Sequence, residues 1–319
     1  MKENEFLSWL AAAQTPTIRY AALTDLSGLP ESNRRAAAAR REIMRRGPVP
    51  AILSRQTGEG NWKKEQSYYT PKYFSTHWSM LLLAELRADG RDPRYRRGAR
   101  YMLETTARDI ERRLREHYTG WSCFYGNMLR YVLRTEHADE PRVERLSRLL
   151  AESIRKGHCQ CEHNYGKPCA WGVVRSLYGL AAIPKSDRSR DVRSAVAQGI
   201  AYLVEDGRLL KADYPTQGNR PANPMWFKLN FPLFYQADLL LTLRVLAELD
   251  ALDRPGVQPV LDWLERSRKP DGRWRGSSPF RQRTWKGLGG QEETDRWVSL
   301  QAAWILRQAG RSAAIESAA

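Results

Sequence analysis

Five segments of the chain open in the same way, with one aromatic residue at the head of an apolar run. A unit repeated that often is the tightest constraint on the fold. The segments are Thr76-His77-Trp78, Cys123-Phe124-Tyr125, Cys169-Ala170-Trp171, Leu233-Phe234-Tyr235 and Asp295-Arg296-Trp297. The runs that follow are SMLLLAEL, GNMLRYVL, GVVRSLYGL, QADLLLTLRVLAEL and VSLQAAWIL. The anchors are 47, 46, 64 and 62 residues apart, and the two longer units carry insertions around Tyr214-Pro215 and Ser277–Gly290. A helical hairpin cannot bury its apolar face alone, so repeats of this kind stack on one another.

Each unit reads as helix, loop, helix. The first helix is amphipathic, as in VPAILSRQ, ARYMLETTARDIERRL and VQPVLDWLERSR; the second is more continuously apolar. Partly polar helices belong outside and apolar ones inside. Alternating strand patterns are scarce, so the expected class is all-α. The expected architecture is about five helix pairs, with residues 1–47 an N-terminal helical segment and residues 48–319 the repeat domain. Asn4 and Ser32 are expected helix caps in the first segment, and Gly47-Pro48 separates it from the repeats.

With 319 residues the chain can bury a large core. No window approaches the roughly 18 apolar residues of a membrane span, and the N-terminus lacks the apolar core of a signal peptide, so a cytoplasmic protein is expected. The formal net charge is +16, carried mostly by arginine in segments such as Arg40–Arg46, Arg94–Arg100 and Arg108–Arg115. That excess leaves two readings open: a solvated outer surface, or a face for an anionic partner such as nucleic acid.

Four cysteines in such a chain favour thiols or a metal site over structural disulfides. The segment from Gly157 to Cys169 holds His158, Cys159, Cys161, Glu162, His163 and Cys169, the densest set of metal-ligating residue types in the sequence. Cys123 and Cys169 share the slot two residues before their anchors. If the units repeat, both lie at one pole, where a helix N-terminus favours the thiolate. Cys123, Cys161 and Cys169, with His163 or Cys159 as the fourth, are the expected ligands of a zinc ion. Small apolar packing and a redox or nucleophilic thiol are the alternatives. Three residues after the anchors stand Leu81, Met128, Val174, Asp238 and Leu300. Asp238 is the lone charge of that ring, a candidate proton donor or a structurally paired acid, with Tyr235 beside it as the second candidate catalytic residue. Trp78, Tyr125, Trp171, Tyr235 and Trp297 are expected to line a cavity, where aromatic faces stabilise cations, or to fill core.

Two loops that follow outer helices end alike: Gln56-Thr57-Gly58-Glu59-Gly60-Asn61-Trp62 and Arg268-Lys269-Pro270-Asp271-Gly272-Arg273-Trp274. With the preceding Trp263-Leu264 pair, they resemble the QW motifs of the squalene-cyclase and prenyltransferase superfamily over roughly residues 48–310. The second copy has Arg268 where glutamine is usual. The resemblance implies an α/α toroid whose inner helices line a central cavity that takes a hydrophobic or prenyl-diphosphate-like ligand. Protein prenyltransferases are similar in holding zinc near the start of inner helices, but their Asp, Cys and His set has no match here. The acidic D-x-D-D motif of squalene cyclases is also missing. The resemblance leaves a transferase or a lyase or isomerase open as the enzyme class. Two other readings stand beside it: a basic nucleic-acid-binding or base-repair protein, and a non-catalytic scaffold with a structural metal.

Overall fold

The structure, a computed structural model, describes residues 3–62, 67–136, 139–216, 218 and 223–311. Among these residues the fold is all-helical. Two isolated bridges, Cys161 with Lys167 and Asn230 with Ser277, are the only extended pairings. The helices are α1 (Glu3–Ala11), α2 (Pro16–Ala21) running into a π turn at Ala22–Leu26, α3 (Arg34–Arg45), α4 (Pro48–Leu53), α5 (Thr76–Glu85), α6 (Pro93–Glu116), α7 (Ser122–Val132), α8 (Pro141–Arg155), α9 (Ala170–Ala181), α10 (Arg190–Val204), α11 (Arg208–Lys211), α12 (Leu239–Glu248), α13 (Gln258–Arg266) and α14 (Gln291–Gln308). No helix among the described residues is long and apolar enough to cross a membrane.

Helix starts follow from capping chemistry. Asp92 accepts from Arg94 N at 2.8 Å ahead of Pro93, and Glu140 accepts from Arg142 N and Val143 N ahead of Pro141. A carboxylate satisfies amides that the first turn leaves free, and proline loses nothing at the first helical position. At α3 the cap is Asn33, whose side chain accepts from Arg35 N at 2.9 Å, rather than the expected Ser32. Asn4 lies inside α1 rather than ahead of it.

Burial divides the helices into two kinds. Every residue of α5 from Thr76 to Ala84 is buried. In α6 burial follows one face through Tyr95, Ala99, Met102, Thr106, Ile110 and Arg113, the spacing of a helix with one side in water. The enclosed helices pack in sequence: α5 on α7, α7 on α9, α9 on α12, α12 on α14, and α14 on α2 and its π turn. The circuit returns to α5 through Thr17 Oγ1, which donates to Leu86 O at 2.6 Å, and through the Arg87–Asp25 ion pair. Residues from the N-terminal segment therefore stand between α14 and α5. The amphipathic helices α6, α8, α10 and α13 pack against this series and, for α6, α8 and α10, against one another in turn.

The helix ends correct the register of the repeat. Arg87, Asp250 and Gly310 all have left-handed φ, of 56°, 52° and 71°. The next amide returns to the helix in each case: Ala88 N to Leu83 O, Ala251 N to Leu246 O and Arg311 N to Leu306 O, at 2.8–2.9 Å. These are the same C-terminal motif three times. Counting back from them, Asp238 is equivalent to Ser75, the N-cap of α5, and Trp78, Tyr235 and Trp297 are not equivalent to one another. The segment Phe231–Ala237 stays non-helical because Pro232 restricts its start and buried donors hold its carbonyls. Asn127 Nδ2 donates to Phe234 O, and the Arg175 guanidinium donates to Gln236 O. Asp238 is thus a cap ahead of α12, not a residue within an inner helix as the aromatic alignment implied.

The two Gly-x-Trp loops have one geometry. Trp62 Nε1 donates to Ile52 O and Trp274 Nε1 to Leu264 O, both ten residues back, at 2.8 and 2.7 Å. Thr57 N meets Asn61 O as Lys269 N meets Arg273 O. Each tryptophan amide donates to a hydroxyl of the following enclosed helix, Thr76 or Ser299.

Candidate functional site

The four cysteines gather at the start of α7 and α9. Cys123 is the second residue of α7, and Cys169 is the N-cap of α9, its sulfur accepting from Gly172 N at 3.4 Å. The connecting loop is tied down at both ends. Cys159 N donates to Ser153 O and Cys169 N to His158 O, and Asn164 Nδ2 bridges Pro168 O and Pro215 O. Glu162 accepts from Tyr118 and from Trp121 Nε1. Gly172 makes the close approach to this loop possible: a Cβ there would stand 2.9 Å from Cys159 Cβ.

The thiols differ in character. Cys161 and Cys169 interact as a pair: Cys169 and the amides of His163 and Asn164 favour the Cys161 thiolate, so Cys161 is lowered while that partner and burial hold Cys169 up. Burial pushes Cys123 up to about 12, with Cys161 within electrostatic reach. Burial also pushes Cys159 up, to about 11, against hydrogen bonds from Ser176 and Ser122. All four are free thiols. The structure therefore gathers the four cysteines at one place, with Cys161 in electrostatic reach of Cys123, Cys159 and Cys169. The His163 side chain is 77% exposed beside Glu162 and Trp121. Among the described residues no three His, Cys, Asp or Glu side chains stand ready as a metal-binding group.

A file of rings lies at this pole. Trp121 meets Tyr69 at 5.2 Å, Tyr69 meets Trp78 at 4.9 Å, Trp78 meets Tyr235 at 6.2 Å and Tyr235 meets Trp171 at 6.3 Å. Trp78 is fully buried, while Tyr69, Trp121, Trp171 and Tyr235 are half-buried. Lys72 Nζ sits 5.8 Å from the Tyr69 ring centre and 5.3 Å from that of Tyr235. Both tyrosines lie within electrostatic reach of Cys123. Sequence reasoning missed Tyr69, Lys72 and Trp121, which lie outside the repeated apolar runs.

Of the remaining expected residues, Tyr125 is buried against Phe124, its hydroxyl on Asp109. Trp297 stacks on Phe231 at 4.2 Å. Asp238 is wholly buried: one oxygen accepts from Leu241 N, the other from Asn230 N and Nδ2, all at 2.8 Å. Burial raises its carboxyl to about 6, against those hydrogen bonds.

A cavity of about 800 Å³ opens at the other end of the enclosed helices. Of the five anchor aromatics, Trp297 alone lines it. Its floor is charged. Arg130 binds Glu248 through two hydrogen bonds at 2.6 and 2.8 Å, and Arg244 binds Glu85 at 2.8 Å and Glu248 at 3.2 Å. The Tyr178 hydroxyl completes Glu85. Burial opposes the Glu85 charge, yet Arg244 and Tyr178 bring its carboxyl down to about 2. Glu85 and Glu248 occupy equivalent places in Leu83-Ala84-Glu85-Leu86 and Leu246-Ala247-Glu248-Leu249, a repeat visible in the sequence and not used. No family model matches the chain, and neither a curated protein nor a solved structure matches it.

Proposed function

We propose that the chain is an α/α toroid of the prenyltransferase and terpene-cyclase type, and that its working site is the cysteine pole. The closed order of packing from α5 through α14 and α2 supports the toroid, as do the two Gly-x-Trp loops of matching geometry. In this reading Cys161, Cys169 and Cys123 hold a zinc ion, and His163 or an atom of the ligand takes the fourth position. Zinc favours tetrahedral sulfur ligation, and a catalytic site keeps one position open. Binding would strip protons from Cys123 and Cys169, so affinity would rise with pH. The half-buried faces of Tyr69, Trp171 and Tyr235 would carry the apolar body of a prenyl-type ligand, and Lys72 its anionic head. The gathering of Cys123 at the start of α7 with Cys169 at the start of α9 and the tied loop that carries Cys161 between them carries the proposal.

Metal analysis of protein purified without added metal tests it. The expected result is one zinc per chain in the wild type, with most of it lost in Cys161→Ser and Cys169→Ser. Wild-type protein that retains no zinc after equilibration with the ion and desalting would overturn the reading.

A further inference from the structure

We infer that the polar cavity at the pole opposite the cysteines is a second binding site, for a small organic anion with one oxyanion group on a flat apolar body. The inference is independent of the metal reading. The charges on the floor satisfy one another: both oxygens of Glu85 and of Glu248 are engaged, and Arg130 and Arg244 are their partners. The groups left over are donors. Arg134 also lines the cavity; its Nη2 donates to Ala88 O at 2.8 Å, while its Nε is buried with no acceptor among the described residues. Trp297 Nε1 is likewise buried without one. Arg91 lines the opening, is exposed and makes no ion pair among the described residues.

The charge count agrees. Among the described residues Arg40, Arg87, Arg91, Arg130, Arg134 and Arg244 line the cavity against Asp25, Glu31, Glu85, Asp89 and Glu248, which leaves one cation in excess. Unsatisfied buried donors are rare, and each is a place where an acceptor is missing. Guanidinium groups suit carboxylate, sulfonate and phosphate oxygens. Trp297, Trp304, Leu133 and Leu300 provide apolar wall for the rest of the molecule. The volume is that of an ordinary small-molecule site. Arg134 and Arg91 are the residues that would read the oxyanion, by a rotation that turns the Arg134 fork from Ala88 O toward the ligand.

The test is equilibrium binding of 1-anilinonaphthalene-8-sulfonate, an oxyanion on a flat apolar body, against N-phenyl-1-naphthylamine, the same body without the sulfonate. The expected result is one sulfonate site per chain, weakened about tenfold in Arg134→Gln, the size of one lost charge-assisted hydrogen bond. Arg91→Gln, an exposed position that leaves the fold alone, should weaken it several-fold. The neutral probe should bind all three proteins equally. Sulfonate binding unchanged in both variants would overturn the inference, as would equal affinity of the wild type for the two probes. Loss of the sulfonate site in Tyr235→Ala would assign it to the cysteine pole and also overturn it.

Discussion

His77 shows how a single side chain can set the acid limit of the molecule. It is fully buried in α5, stacked on Phe124 at 4.2 Å, with Nδ1 3.3 Å from the Tyr131 hydroxyl and no partner at Nε2 among the described residues. Burial, with the Arg175 charge, pushes its pKa down to about 3. The unfolded chain therefore binds a proton near pH 6.5 that the native state refuses. Its contribution is complete above that pH and is lost as pH falls toward 3. Between pH 6.5 and 4.5 the wild type should lose about 2 kcal/mol more stability than His77→Gln, the slope steepening toward the lower pH. Denaturant titrations at several pH values measure it; parallel slopes for the two proteins would refute the assignment. Asp238 carries the opposite lesson. Its lone charge in an apolar run was plain in the sequence, but its partner Asn230 and its place as a cap depend on a non-helical segment that periodicity does not describe.

At the scale of elements, helix type was legible because burial period is written into the sequence, as in α5 and α6. Register was not. The anchor aromatics Trp78, Tyr235 and Trp297 drew the alignment, whereas the shared geometry lies at the C-terminal ends, at Arg87, Asp250 and Gly310. Insertions ahead of α12 and α14 separate the two signals. The contact between α7 and α9 is set by glycine. A Cβ on Gly126 would stand 2.1 Å from Arg175 O, and one on Gly179 2.5 Å from Gly126 O. Backbone cannot yield as a flexible side chain does, so Gly126→Ala should cost about 1–3 kcal/mol or more. Gly58→Ala, with nothing among the described residues within 4 Å of the added carbon, should be within about 0.5 kcal/mol of wild type. Urea unfolding of the pair decides it, and equal midpoints would refute the close packing of the two helices.

Across the whole molecule the helices carry different chemistry at their two ends. Starts of α7 and α9 hold the thiols; ends of α5, α7 and α12 hold the paired arginines and glutamates around the cavity. Sequence reading located the first pole, because cysteine is rare and its spacing conspicuous. It did not locate the second, because charged residues are common and those at Glu85, Arg130, Arg244 and Glu248 gain meaning only when distant segments meet. The net charge of +16 likewise did not predict that many arginines would be held in ion pairs, as Arg94, Arg112 and Arg113 are on α6.

The central claim is that three thiols at the cysteine pole close around one metal ion. Titration of the metal-free protein with cobalt(II) tests it most directly, because cobalt takes the same ligands as zinc and reports them by colour. The account predicts saturation at one ion per chain, with intense tetrahedral d–d bands and thiolate-to-cobalt charge transfer. Both signals should be cut sharply by Cys161→Ser or Cys169→Ser. A weak octahedral spectrum without charge transfer, or one unchanged by those substitutions, would contradict it.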